Sequence, residues 1–468
     1  MNKRDAMHST IMTMMKVIKK NPDGIIERIL PMVEYFMGNE THKKQLNNFR
    51  TSWNRRDNNY KLVHNIIDTI DPNCLNKMVD NLVLNAAWEG NQKLRDNRDK
   101  YDLNIPWAIL IDPTTACNLH CKGCWAEGYG RTDSLDNELI DRIITEGKEL
   151  GIYMYLYSGG EPLVRRKDLI ELARKHNDCY FLAFTNGTLI DEEFAEQLRE
   201  VGNFTLAISM EGSREETDAR RGEGSYDTMM HAMKMLRKKG VPFGFSSCYH
   251  SENSKTVGSE EYIDSMIDLG AIFGWLFTYI PVGNNAVPSL IATPEQREYM
   301  YHQVRTFRKT KPIFLMDFWN DGEYVYGCIA GGRNYFHINA RGDVEPCAFI
   351  HYSDISIKDH SLLEVLHSQL FQQYRAHQPF NKNYLRPCPL LDNPQYLRKM
   401  VNESKAVSTE YIHTESVEDL AAKTDDAAAA WAPVADRLWR ENPRSVEMEH
   451  KSWPGAPDPG RKRRRKSS

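Results

Sequence analysis

The chain has 468 residues, 41% hydrophobic and 26% charged, with a formal net charge of −4. This is the make-up of an ordinary globular protein, and at roughly 150 residues per domain it allows two or three domains. The near-neutral balance gives no reason to expect a nucleic-acid partner, and no apolar run reaches the roughly eighteen residues of a transmembrane helix. The opening MNKRDAMHST lacks the apolar stretch of an export signal. Nine cysteines in such a chain indicate a reducing, cytoplasmic setting.

Residues 1–100 form a first unit, expected to be helical. MHSTIMTMMKVIKK, GIIERILPMVEYFM and CLNKMVDNLVLNAAWEGNQKL repeat apolar residues near the helical period, with breaks expected at residues 22–24, Pro31 and Pro72. The methionine-rich first helix suits packing against the next domain, and a membrane or flexible substrate is the alternative. No residue pattern here carries chemistry. The region is expected to cap the neighbouring domain or to recognise substrate.

From Ile105 the period changes. IPWAILIDPT is a short apolar run of the kind buried on both faces of a parallel sheet. IYMYLYS, CYFLAFT, FTLAISM, PFGFSSCYH and FGWLFTYIP continue the strand pattern, alternating with helical runs, so parallel βα units are expected over residues 101–315.

Just beyond the first strand lies CNLHCKGCW, with Cys117, Cys121 and Cys124 in a C-x3-C-x2-C spacing. Thiolates are soft ligands that select zinc or iron–sulfur clusters over hard cations. A closed zinc site wants four ligands, and His120 is the only nearby group to complete one. Three cysteines on a [4Fe–4S] cube instead leave one iron open to a small molecule.

Four further stretches come in order: YSGGEP at 157–162, TNG at 185–187, ISMEG at 208–212 and then DARRGEGSYD. Together with the cysteine motif they resemble the radical S-adenosylmethionine (radical SAM) superfamily. One departure is Gly123, where many members carry an aromatic residue; Trp125 follows the third cysteine instead.

The resemblance implies a partial (β/α)6 TIM-like barrel, an α/β fold with its site at the carboxyl ends of the strands. It also implies that Cys117, Cys121 and Cys124 hold a [4Fe–4S] cluster whose open iron binds SAM. Gly159 and Gly160 would let the backbone approach the methionine end, Glu161 would take its ammonium, and Pro162 would stiffen the turn. Ser209 and Glu211 are placed for ribose hydroxyls or the methionine carboxylate. Arg221 suits that carboxylate bidentately, with Arg220 as fallback. Asn186 is expected to order its turn, and Ser246 and Ser247 to border the adenosine.

Residues 316–400 form a small C-terminal extension. GCIAGGRNYFHINARGDVEPC sets Cys328 and Cys347 around an expected hairpin, and Cys388 lies in RPCPLLDNP. FHINARGDVEPC resembles the start of SPASM and twitch extensions, which bind auxiliary iron–sulfur clusters. The further cysteine pairs of the full SPASM pattern are missing. At most one auxiliary cluster is therefore expected, on Cys328, Cys347 and Cys388, with a fourth ligand from His351, His337, Asp392, a substrate, or none. The alternative is three free thiols. Cys74, Cys179 and Cys248 read as small buried residues.

Residues 401–468 are expected to be mostly a low-complexity, disordered tail, with at most one helix in DLAAKTDDAAAAWAPVADRLWRENP. Its basic run, residues 461–466, is expected to be part of a solvated disordered tail, with contact to anionic lipid or nucleic acid as the alternative.

The function implied is that of an oxidoreductase or transferase. An electron donor such as flavodoxin or ferredoxin would reduce the cluster, SAM would be cleaved to a 5′-deoxyadenosyl radical, and hydrogen would be taken from an unactivated C–H bond. The apolar N-terminal region points to a lipid or acyl-chain substrate, with peripheral membrane contact. A peptide-modifying SPASM maturase is the alternative, and other small molecules remain open. A non-catalytic metal-stabilised or electron-carrying protein is the reading from another class. It would have no use for Glu211 or Arg221 converging on the cluster.

Overall fold

The computed structural model describes residues 3–36, 40–283 and 285–448. Its centre is a nine-stranded sheet. The strands are β1 Ala108–Ile111, β2 Met154–Tyr157, β3 Tyr180–Thr185, β4 Phe204–Ser209, β5 Phe243–Tyr249, β6 Phe273–Thr278, β7 Phe314–Asp317, β8 Tyr335–Ile338 and β9 Val344–Glu345. Their spatial order is β7-β6-β5-β4-β3-β2-β1-β8-β9. Strands β1 to β7 run parallel, β8 is parallel to β1 on its other side, and β9 turns back antiparallel. The six expected βα units form β1 to β6, and the sheet continues past them at both ends. It curves without closing.

Register explains the two cores. Ile109, Ile111, Tyr155, Tyr157 and Phe181 face the outer helices, while Ala108, Leu110, Met154, Leu156 and Leu182 face the interior. The side-chain period of two in a strand separates these sets, and burial on both faces makes the strands apolar throughout. Each connecting helix is trimmed by local chemistry. In Glu192–Val201, Asp191 accepts from the Phe194 N–H at 2.8 Å, and Gly202 ends the helix with φ +72. A cap of this kind contributes about 1 kcal/mol.

The N-terminal region is helical as expected: Lys3–Met15, Pro22–Phe36, Glu40–Arg55, Asn58–Thr69 and Pro72–Lys77, then the π-helix Met78–Gly90 and Asn91–Tyr101. Pro31 does not break the chain; it sits inside Pro22–Phe36. The region seals the amino ends of the strands. Asn81 donates to the carbonyls of Asn177 and Cys179, each at 2.8 Å, and Asn73 to those of Arg199 and Glu200 at 2.9 and 2.8 Å. It is therefore a floor beneath the barrel, at the opposite end from the motifs.

The stretch expected to be a tail is folded as far as residue 448. Strand β10 (Tyr352–Ser353) pairs with β11 (Val407–Ser408), and helix Val417–Glu441 lies against the body. Leu420, Thr424, Ala428, Trp431, Ala435 and Leu438 are buried along one face of that helix. Trp431 donates to the Leu385 carbonyl at 3.0 Å, and the Arg297 guanidinium stacks 4.4 Å from its ring centre. The basic run 461–466 lies outside the described residues. Among those described, no helix is long and apolar enough to cross a membrane.

Candidate functional site

The cysteine loop leaves β1 and is held by its neighbours. The Gly160 N–H donates to the Thr114 carbonyl at 3.0 Å, Glu161 N–H to Ala116 at 2.8 Å, and Lys122 N–H to Arg220 at 2.8 Å. Arg131 donates to the Cys117 carbonyl at 2.7 Å. Cys117, Cys121 and Cys124 are all half-buried on this loop. Burial pushes the Cys124 thiol up to about 11, and Cys117 shifts the same way for the same reason. Such thiols lose their protons only to a metal, so ligation and proton release are linked. Among the described residues no three His, Cys, Asp or Glu side chains close on a single metal ion. The three-thiol loop, with no fourth protein ligand beside it, fits a cluster with one open iron.

The glycines after β2 do something other than expected. A Cβ on Gly160 would stand 2.3 Å from the Ala116 carbonyl oxygen, and one on Gly159 would stand 2.6 Å from that of Thr114. Both are needed because the turn lies on the cysteine loop, whatever binds above it. Gly159 also has φ +99, a conformation that favours glycine.

Glu161 is likewise reassigned. Its carboxylate is buried and accepts from Thr185 Oγ1 at 2.6 Å, the Asn186 N–H at 2.8 Å and the Leu163 N–H at 3.0 Å. These bonds tie the turn to the end of β3 and hold the carboxylate within the turn rather than on the cavity wall. Burial raises its pKa even so. Pro162 opens the short 3-10 turn beyond it. Asn186 donates to Asn118 Oδ1 at 2.9 Å, which joins its turn to the cysteine loop.

Glu211 does not face ribose. It is fully buried between two guanidiniums, with Arg220 Nη1 at 2.7 Å and Arg221 Nε at 2.8 Å. Burial opposes its charge, but the two arginines hold its pKa below the usual carboxylate value. One acid against two bases leaves an excess positive charge at the strand ends. Arg221 Nη1 lies 4.0 Å from Cys121 Sγ, and both arginines line the barrel's interior cavity. That arrangement suits a carboxylate beside the cluster. Ser209 and Ser246 face the same cavity, whereas Ser247 points outward to Tyr262 OH at 2.7 Å.

The cavity has a volume of about 850 Å³ and runs along the barrel interior. Gly123, Trp125 and Tyr279 line its cluster end, and Leu62, Met78 and Phe314 its floor. Aromatic rings dominate between: Trp275 stacks on Phe277 at 5.8 Å, and Phe184 meets both edge-on, at 5.2 and 5.7 Å. Tyr279 accounts for the glycine at 123. A Cβ there would stand 2.7 Å from its hydroxyl, so the aromatic ring over the loop comes from the end of β6.

Cys248, expected to be a small buried residue, is half-buried and faces the cavity. Cys74 and Cys179 are fully buried as expected.

Behind the loop lies a buried charge network that no spacing announces. His337 sits between Asp112 Oδ2 at 2.9 Å and Glu345 Oε2 at 2.6 Å. Tyr129 OH also donates to Glu345 at 2.7 Å, and Ser158 Oγ to Asp112 at 2.7 Å. The ring of Trp125 meets that of His337 edge-on at 5.7 Å. The network thus joins β1, the turn after β2, the cysteine loop and the β8–β9 hairpin.

Cys328, Cys347 and Cys388 line one small cavity of about 40 Å³. Tyr335 OH is 2.7 Å from Cys347 Sγ, and Cys388 Sγ accepts from the Leu390 and Leu391 N–H groups at 3.4 and 3.3 Å. Burial raises all three thiols, Cys347 to about 12. The protein residues expected as fourth ligand are otherwise engaged. His351 bonds Glu410 Oε1 at 2.9 Å and the Ala348 carbonyl at 3.0 Å; Asp392 pairs with Arg297 at 2.6 Å and takes the Cys388 N–H at 2.9 Å. His337 is held by Asp112 and Glu345.

A partial barrel with three thiols and two arginines at its strand ends, and three more thiols in an extension, is the outline of an iron–sulfur enzyme. The radical SAM superfamily pattern matches residues 111–259, and that of the iron–sulfur cluster-binding SPASM domain residues 328–390. An AdoMet-dependent heme synthase of Oleidesulfovibrio alaskensis is 26% identical over 59% of this chain and 78% of its own. A PqqA peptide cyclase of Granulibacter bethesdensis is 26% identical over 58% of this chain and 76% of its own. Streptococcus suis SuiB, solved with its precursor peptide SuiA, shares the fold at a TM-score of 0.53 and 19% identity, over 70% of this chain and 80% of that one. Residues 111–259 are thus a radical SAM domain and residues 328–390 a SPASM extension: the protein is a radical SAM enzyme, and its cofactors are a [4Fe–4S] cluster and SAM.

Proposed function

We propose that Cys117, Cys121 and Cys124 ligate the SAM-binding cluster, that Arg221 receives the SAM carboxylate, and that hydrogen is removed from an apolar group of a peptide held in the long cavity. The cavity carries this reading. It begins at the cysteine loop and is walled mainly by aromatic and aliphatic side chains, so a reactive species formed there is shielded from water and meets mostly carbon. When bound, the cluster and SAM supply the reductive cleavage that yields a 5′-deoxyadenosyl radical.

The chain's own residues bind and orient. Glu211 fixes both guanidiniums, Asn186 and Gly160 set the loop, and Tyr279 covers it. Similarity to PqqA peptide cyclases and to the fold of peptide-bound SuiB supports a peptide substrate over the lipid expected from the apolar N-terminal region. One observation still favours an acyl chain as a second reading: between its two polar ends the cavity is walled mainly by aromatic and aliphatic side chains.

The test is anaerobic reconstitution with SAM and dithionite, measuring 5′-deoxyadenosine and substrate mass with hydrophobic peptides or with phospholipid. Peptide-stimulated cleavage with a change in peptide mass is expected. Stimulation by phospholipid alone would replace the peptide reading. Cleavage that persists with Cys117, Cys121 and Cys124 all changed to alanine would end both.

A further inference from the structure

The floor of the cavity carries a charge that the apolar walls do not explain. Arg98, in helix Asn91–Tyr101, is one of the lining residues there, near Asn91, Trp107 and Asn334. Its guanidinium donates from Nε to the Ile105 carbonyl at 2.8 Å and from Nη2 to the carbonyls of Ile105 and, at 3.1 Å, Arg333. Among the described residues no carboxylate pairs with it, and its Nη1 has no hydrogen-bond acceptor. Burial and the nearby Arg95 lower its pKa to about 10, so it remains charged at neutral pH. Arg98 is half-buried, and withdrawing a cation from water without a counter-ion is costly, so such side chains are usually paired. Arg220 and Arg221 at the other end share Glu211; Arg98 has no acidic partner among the described residues.

The two ends are well separated. The lining runs from Ile272, just before β6, to Tyr279, just after it, a span of about 23 Å at ~3.3 Å per residue. The space between is apolar. A ligand that satisfies every part of this chamber is an extended apolar molecule with an anionic tip, its body along the aromatic wall and its tip on Arg98.

We propose that Arg98 is a carboxylate-binding subsite that anchors the far end of the substrate, so that a C–H bond near the other end is held at the SAM site. A peptide C-terminus and a fatty-acid head group offer the same carboxylate. The proposal rests on the reading of this cavity as the substrate chamber. It adds to that reading the charge of the substrate and the direction in which it lies. Chamber length and anchor position together select which carbon reacts, because orientation at the reacting atoms dominates such steps.

The test uses the full-length, anaerobically reconstituted enzyme with SAM bound, and titration calorimetry. Two pairs of probes are compared: dodecanoate with dodecan-1-ol, and a hydrophobic octapeptide as C-terminal acid with its C-terminal amide. The acid member of at least one pair is expected to bind at least about tenfold more tightly, the effect of one charge-assisted contact. The pair that shows the preference identifies the carboxylate's source. Arg98→Met should abolish the preference and Arg98→Lys should retain most of it, with SAM affinity unchanged in both. Equal binding of acid and neutral forms to the wild type would overturn the proposal, and would do so even if Arg98→Met failed to fold. A preference that survives in a folded Arg98→Met protein would also overturn it. If neutral forms bind as well as acids, only the anchor fails. If no probe binds while SAM is still cleaved, the chamber reading fails with it.

Discussion

Glu161 accepts three hydrogen bonds in a buried position, so its removal strands two backbone N–H groups and a hydroxyl. Each unsatisfied buried donor costs about 1–3 kcal/mol. Glu161→Ala is expected to lower the unfolding free energy by at least about 3 kcal/mol in a denaturant titration, with any loss of SAM affinity following from a disordered turn. A variant as stable as wild type that nevertheless lost SAM would restore the acid to the ammonium. His337 offers a test by pH. Burial opposes its charge, yet Asp112 and Glu345 raise its pKa to about 10, against roughly 6.5 unfolded. A raised pKa stabilises the fold fully below the unfolded value, and the contribution is lost as pH climbs through the folded one. Melting temperature should therefore fall between about pH 6.5 and 10 in the wild type. That slope should be shallower in His337→Gln, which should itself be destabilised by about 3–5 kcal/mol. Equal slopes would remove His337 from the network.

These two residues also mark how far the sequence can be read. The cysteine spacing and the order of the glycine and arginine motifs are local patterns, and the structure brings them to one end of one sheet. Glu161 is not legible as a structural acid because its partners Thr185 and Asn186 lie more than twenty positions away, and a motif does not say which side of itself is wet. Gly159 and Gly160 suggest a close ligand, but their crowding comes from the chain's own loop. Arg98 and Tyr279 carry no spacing signal at all; only their place on a cavity wall makes them notable.

At the level of elements, the three thiols of the extension reach one cavity from the start of the β8 segment, from just after β9 and from the loop before helix Pro394–Ser404. Changing Cys328, Cys347 and Cys388 together to alanine is expected to remove about four irons per chain, the content of one [4Fe–4S] cluster, while leaving SAM cleavage chemistry at the first cluster. An unchanged iron count by elemental analysis would make them structural thiols. The helix Val417–Glu441 is legible in part. Its alanine-rich centre resembles low-complexity sequence, but Leu420, Trp431 and Leu438 keep a helical spacing that signals a buried face. The expected break at Pro31 does not occur: proline there forfeits one N–H and crowds the carbonyl four residues back, yet Pro22–Phe36 continues through it as one helix.

Across the whole molecule, the cysteine loop is held by bonds that involve no metal: Gly160 to Thr114, Glu161 to Ala116, Lys122 to Arg220 and Asn186 to Asn118. Zinc-finger domains behave otherwise, since their ligand spheres are also their cores and chelation unfolds them. Here the receptor is preorganised, and the metal finds a loop already shaped. Chelating the iron should leave the far-ultraviolet circular dichroism and the cooperative melt of the barrel essentially intact; unfolding on chelation would contradict the hydrogen-bond pattern. Iron loss and chain collapse then become separate events. Apo-protein damaged by oxygen would persist as a folded scaffold, ready to be refilled rather than remade.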